Sequence, residues 1–177
     1  MEQRTGIFTA LERAERVFDQ RAELLVPEEL GALVAERTGR VLMDQTDYSE
    51  AIIVNGRLAT GGSLDVPTLG AVHTTADGTI ALGHLEGDDL ASFLANGSVP
   101  NASVTVDETA YCFVHPWDIL EGLSERIAGD IGISVSAEPV PDRVIVLGEH
   151  SVHVHKSANV MPTVVLDATE GSIWIDE

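Results

Sequence analysis

Near its end the chain repeats with a period that few folds accept. Val152, Ala158 and Val164 stand six residues apart, and Val154, Val160 and Leu166 form a second series of the same spacing. After a break at Asp167–Gly171 the pair returns as Ile173 and Ile175. A helix repeats its buried positions every ~3.6 residues and a strand every ~2, so neither accounts for a doubled six. A coil with three flat faces does: each face takes about six residues, with a main inward side chain and a smaller one two positions earlier. The spacing predicts the start of a left-handed parallel β-helix of hexapeptide repeats. About one coil is written, and a coil does not bury its own ends. The segment is therefore expected to stack on the preceding domain, on another chain or on further coils.

The same register bears on "EHSVHVHKSANV" (149–160), where His150, His153 and His155 crowd beside Lys156. His-x-x-His-x-His is a spacing that metals use. With Val152 and Val154 inward, alternation turns His153 and His155 outward and leaves His150 in the turn ahead of the coil. The valines then carry the structural information, and a metal held at an interface is the alternative use of the outward histidines.

Upstream the periods are those of ordinary helices and strands. Thr9 with Glu12 is a capping-box signature opening a helix over 9–20, with Leu11, Ala14 and Phe18 on one face. "PEELGALVAERTG" (27–39) reads as a second helix with acids in its first turn, a stripe of Leu30, Leu33 and Val34, and Gly39 as its stop. "AIIVN" (51–55) reads as a buried strand running into the Asn55-Gly56 turn. "AVHTTADGTIALGHL" (71–85) reads as a hairpin about Asp77-Gly78. A short helix over 88–97, a weak strand over 102–107 and an amphipathic helix over 115–131 follow. The last has Pro116 at its start and Trp117, Leu120, Leu123 and Ile127 as its inward face. Pro139 and Pro141 mark a linker. The alternation argues an α/β domain over 1–136, followed by the linker and the start of the β-helix over 137–177.

Charge narrows the partners. Twenty-nine acids face ten bases, a formal net charge of −19, and Lys156 is the sole lysine. Nucleic acid and anionic membranes are excluded as partners, because neutralising phosphate needs clustered Lys and Arg. The acids are spread along the whole chain, which favours salt adaptation of the kind seen in halophilic archaea over an acidic patch for a basic partner. Such a surface is expected to lose structure as salt is lowered, through self-repulsion. There is no basic, apolar leader and no apolar run of the ~20 residues that span a bilayer, so the expected location is the cytoplasm. Cys112 is the only cysteine, which rules out an internal disulfide and fits a small core residue.

Read in order, "RTGIFTALERAERV", "LVPEELGALVAERTG", "AIIVNGRLA", "DGTIALGHL", "HPWDILEGLSERIAGDI" and "LGEHSVHVHKSANVMPTVVLDATEGSIWID" resemble consecutive blocks of the sugar nucleotidyltransferase family. That family is similar to the bifunctional N-acetylglucosamine-1-phosphate uridylyltransferase/acetyltransferase. The resemblance implies a partial Rossmann-like nucleotidyltransferase domain over 1–136, lacking the first strand and phosphate loop, with the first coil of a β-helix over 137–177. It also implies that the chain is truncated at both ends. The implied reaction joins a sugar 1-phosphate to a nucleoside triphosphate with Mg²⁺, and the implied assembly is a homo-oligomer through the β-helix. Substrate contacts would come from Arg4, beside the phosphate loop, and from Asn55, Gly56 and Arg57. At this last place the family pattern has Gly-Asp, with the carboxylate on the metal, and this chain has Arg57. Either Arg57 meets the sugar phosphate directly or the site is degenerate.

The remaining chemistry has plainer readings beside it. Asn55-Gly56 is equally a turn after a strand, and Arg4 an exposed terminal arginine. His115 and Asp118 make an acid/base pair or, better supported, a helix start that Asp118 stabilises. Asp44, Asp47, Asp88 and Asp89 read as solvated surface, and Cys112 as core. No phosphate-loop, dinucleotide or paired-cysteine zinc motif occurs. Three functions remain: a nucleotidyltransferase-like protein, inactive in this form for want of the loop; part of a hexapeptide-repeat acyltransferase; or a non-catalytic structural remnant that uses its coil to oligomerise.

Overall fold

A computed structural model describes residues 4–40, 42, 48–133 and 139–176. The fold is of the α/β class, with four α-helices and eight strands among the described residues. Its contacts divide the chain into two compact units. One holds residues 18–58 and 65–112; the other holds 1–17, 59–64 and 113–177. The expected boundary at 136/137 lies in 134–138, outside the described residues.

The first, the sheet unit, contains helix α2 (Glu28–Thr38), strands β1 (Glu50–Val54), β2 (Ala71–Thr74) and β3 (Ile80–Glu86), helix α3 (Gly87–Asn96) and strand β4 (Ser103–Val106). The strands lie in the order β1-β3-β2-β4. β2 and β3 form the expected hairpin, Asp77 accepting the Thr79 N–H at 3.0 Å in its turn. β1 adds antiparallel to β3, pairing Ile53 with Gly83, and β4 adds parallel to β2, pairing Val72 with Val104. Alternation sends Val72, Leu85, Ala51 and Ile53 to one face. There Leu90, Phe93 and Leu94 of α3 close a core in which Val72, Leu85 and Leu90 are fully buried. Two expectations need correcting. β1 is an edge strand with Ile52 exposed rather than a buried one, because β3 pairs only one of its edges. In α2 Leu30 and Leu33 are exposed and Gly31 is buried, since the small residue is where Leu42 packs close.

The second, the coil unit, begins with the capping box that the sequence predicts. Thr9 donates its N–H to Glu12 at 2.8 Å, Glu12 returns its own to the Thr9 hydroxyl at 3.2 Å, and α1 (Ala10–Phe18) follows. The expected helix over 115–131 is broken into a 3₁₀ turn, Pro116–Leu120, and α4, Leu123–Ile133. Gly122 takes a left-handed φ of 64° between them. Its inward face is also different: Trp117 and Leu120 are 66% and 73% exposed, while Arg126 and Asp130 are buried.

The reason is a polar clasp. Asp130 takes a two-point ion pair from Arg13 of α1, at 2.6 and 2.7 Å, and accepts the N–H groups of Ile7 and Phe8 at 2.9 and 3.4 Å. Arg126 donates to the carbonyls of Thr5 and Ile119 and lies over the Phe113 ring. Burying these charges is tolerable because nearly every donor and acceptor finds a partner. Glycines let backbones meet beside the clasp. A Cβ on Gly61 would stand 2.5 Å from the Arg126 Cα, and one on Gly129 would stand 2.7 Å from the Gly61 carbonyl carbon.

Beyond the linker run β5 (Ile145–Leu147), β6 (Val152–Val154), β7 (Val165–Asp167) and β8 (Ile173–Ile175). β5 pairs parallel with β7, matching Ile145 to Val165, and β6 pairs parallel with β8, matching Val152 to Ile173. The chain thus passes the same place again after twenty residues on one side and twenty-one on the other. The turns repeat as well. Arg143 and Thr163 both adopt positive φ, 79° and 71°, and Thr163 donates its N–H to the Arg143 carbonyl at 2.9 Å. Gly148, at φ 90°, sits against Ala168, its counterpart one turn later.

Candidate functional site

The residues predicted to touch substrate fall in two places. Asn55, Gly56 and Arg57 form the turn that ends β1 in the sheet unit, and Arg4 belongs to the coil unit. In the turn the Asn55 N–H reaches the Ala81 carbonyl at 2.9 Å, and its side-chain amide donates to Ile80 O at 2.8 Å. Its Oδ1 accepts the Arg57 N–H at 3.0 Å, and its carbonyl accepts from Leu58 at 2.9 Å. Both ends of the Asn55 side chain therefore shape the turn. Gly56 has open space around it and a φ outside the left-handed region, so nothing local requires glycine there.

Leu58 is buried and bridges to Cys112, antiparallel. Burial pushes the Cys112 thiol up, the Arg57 charge draws it down, and Asp77 pushes it up again. Desolvation wins, so the thiol stays protonated, although Cys112 is half-buried rather than the core residue expected. The end of the sheet thus gathers one exposed cation, one protonated thiol and the Asp77 carboxylate. Among the described residues no carboxylate pairs with Arg57. Such an arrangement can attract an anion; its one carboxylate, Asp77, is bonded by the Thr75 hydroxyl and the Thr79 N–H.

Arg4 forms an exposed ion pair with Asp176, just past β8. The structure gives His115 and Asp118 the plainer role. The Asp118 carboxylate accepts the N–H groups of Val114 and His115 at 2.9 and 2.8 Å, which hold it below the usual carboxylate range. The His115 ring stacks on Trp117 with centroids 4.6 Å apart. Asp89 accepts the Asn101 N–H at 2.9 Å, and Asp44 and Asp47 lie outside the described residues. His153 stacks on Trp174, its partner in the β6–β8 register, at 5.9 Å, and His155 sits 2.7 Å from the Ser157 hydroxyl.

Among the described residues no three His, Cys, Asp or Glu side chains gather to hold a metal. With a guanidinium at the place where the resemblance asks for a carboxylate, the β1 turn does not fit Mg²⁺. No described helix is long and apolar enough to cross a membrane. The residues that sequence reasoning missed are Arg13, Arg126 and Asp130; only the four-residue spacing of the last two, one helical turn, signals them. No protein-family model matches the chain, nor does any curated protein or any solved structure.

Proposed function

We propose that the chain is a sugar-1-phosphate nucleotidyltransferase-like protein whose Arg57 turn receives the phosphate of a sugar phosphate or nucleotide sugar. The observation that supports this reading is Arg57 itself. In a chain of net charge −19 it is an exposed cation without a carboxylate partner among the described residues, held at a strand end by an ordered turn. The order of elements agrees with the resemblance: an α/β sheet first, then parallel strands that return after twenty or twenty-one residues. In this reading those returning strands are the start of a left-handed β-helix.

A second reading, a non-catalytic relative, is favoured by what the turn lacks. The Asn55 amide is engaged by Ile80 and Arg57, and among the described residues no metal-binding donor set accompanies it. One experiment tests the phosphate site and the inactive assignment together. In molar KCl with Mg²⁺, N-acetylglucosamine 1-phosphate and uridine triphosphate, the 177-residue chain is expected to release no pyrophosphate. It is still expected to bind the sugar phosphate or the nucleotide sugar in calorimetry, and Arg57→Ala should abolish that heat while Arg143→Ala retains it. Turnover would overturn the inactive assignment, and absence of binding would overturn the proposal.

A further inference from the structure

The chain holds four asparagines, and two of them precede glycine: Asn55-Gly56 and Asn96-Gly97. That pairing is chemically labile, because glycine leaves the following backbone nitrogen free to approach the side-chain amide carbon. The fold treats the two pairs differently. The Gly97 N–H is occupied: it donates to the Phe93 carbonyl at 2.8 Å as the left-handed cap of α3, with φ 77°. The Gly56 N–H has no hydrogen-bond acceptor among the described residues, and no atom lies within 4 Å of where its Cβ would stand. The Arg57 N–H also donates to Asn55 Oδ1, folding the side-chain amide back over the Gly56 peptide and polarising the carbonyl that would be attacked.

We propose that Asn55 is a modification site, where the chain deamidates spontaneously. The Gly56 nitrogen gives its proton to solvent base and forms a bond to the Asn55 amide carbon. The Asn55 side-chain nitrogen leaves as ammonia, giving a cyclic imide. Water then opens the ring at either carbonyl, leaving aspartate or isoaspartate at residue 55. Either product removes the amide that donates to Ile80 O and places a carboxylate two residues from Arg57. Isoaspartate also lengthens the backbone between β1 and the turn. The modification therefore offsets the Arg57 charge at this end of the sheet. The inference stands on the turn's geometry and does not depend on any substrate.

The Asp77-Gly78 pair is a natural comparison. Its glycine N–H donates to the Thr75 carbonyl at 2.9 Å, and its carboxylate has no amide to lose, so it gives no mass change. The test is to age the full chain in molar KCl at mildly alkaline pH, then map peptides by mass and label isoaspartate with an isoaspartyl methyltransferase. The expected result is an amide-to-acid mass shift with label at residue 55 while Asn96 remains intact. Gly56→Ala should lose the modification while keeping the native circular dichroism, since its Cβ meets nothing. In urea the two Asn-Gly pairs should react alike. Modification of Asn96 first, an unchanged rate in Gly56→Ala, or the same preference for Asn55 in urea would each overturn the proposal.

Discussion

The two units are held together by different chemistry. The sheet unit closes in the ordinary way, with Val72, Leu85 and Leu90 fully buried between a sheet face and α3. In the coil unit the largest fully buried side chains include Arg13 and Asp130, joined to each other, to the backbone of Ile7 and Phe8 and to the Thr5 hydroxyl. An apolar core tolerates imperfect fit at modest loss, because its contacts are many and non-directional. A buried ion pair is all-or-nothing: complete, it is roughly neutral, and with one partner removed it leaves a charge stranded in the interior. The coil unit should therefore be the more brittle under single substitutions. The chain supplies its own reporters, because Trp117 and Trp174 both lie in the coil unit, and Tyr48 and Tyr111 both lie in the sheet unit.

The largest effect is expected at Asp130. Asp130→Asn leaves Arg13 buried without its counter-charge and should cost about 3–5 kcal/mol, read from the tryptophan transition in urea at molar KCl. Replacing the pair together, Arg13→Met with Asp130→Leu, should recover most of that loss. A double variant as unstable as the single one would show that the N–H groups of Ile7 and Phe8, rather than the charge of Arg13, are what Asp130 serves. The matching cut in the sheet unit is Leu85→Ala, expected to cost about 2–5 kcal/mol, seen in the tyrosine signal. If Leu85→Ala proves worse than Asp130→Asn, the contrast between the two cores fails.

This difference also explains what the sequence made legible. Elements whose buried face is apolar, or whose ends carry a signal, could be read: the Thr9–Glu12 box, the Asp77-Gly78 hairpin and the Gly97 stop of α3. The face of α4 could not. Apolar periodicity points to Trp117, Leu120, Leu123 and Ile127, whereas the fold buries Arg126 and Asp130. Nothing in a hydrophobic pattern marks a charge whose partner lies 117 residues away on α1. At the candidate site the local half was legible, Asn55-Gly56 as a turn, because its bonds run to near neighbours and to the adjacent strand. The setting of Arg57 beside Cys112 and Asp77 was not, because strand pairing creates it. The six-residue series holds one buried valine, Val154; Val152 is half-buried, as is His153, whose ring stacks on Trp174. It missed the turn of chain that begins earlier, at Arg143.

That earlier turn sets the next test. Gly148 combines φ 90° with the Ala168 carbonyl carbon 2.3 Å from where a Cβ would stand. Gly148→Ala is strained twice, in conformation and in space, and should cost more than the ~1 kcal/mol of an unsuitable backbone alone. Gly56→Ala, with neither problem, should fall within about 0.5 kcal/mol of wild type. The comparison of glycines sharpens the contrast between the units, since the one in the coil unit carries the penalty and the one at the sheet's end does not.

The smallest effect is set by pH, and it should not discriminate between the units. Asp77 and Asp107 in the sheet unit, and Asp118 and Asp167 in the coil unit, are all held below the ordinary carboxylate range. The causes are alike. For Asp107 the Thr109 hydroxyl comes first, donating at 2.7 Å, followed by the Thr109 N–H at 2.9 Å; Asp167 has the same pair from Thr169, and Asp77 is bonded first by Thr75. Each carboxylate is stabilised more in the folded chain than in the unfolded one. Its contribution is therefore complete above the unfolded value of about 3.9 and is lost as pH falls through the lower, folded value. Thr109→Val, which removes the principal donor to Asp107, should lower the urea midpoint at neutral pH, and its difference from wild type should shrink in acid. A difference that stays constant into acid would mean that the hydroxyl acts through packing rather than through the charge. Acid should erode tyrosine and tryptophan signals together, whereas Asp130→Asn should act first on tryptophan. Loss of one signal well before the other in wild type would show that a buried group, rather than these exposed turns, governs the acid limb.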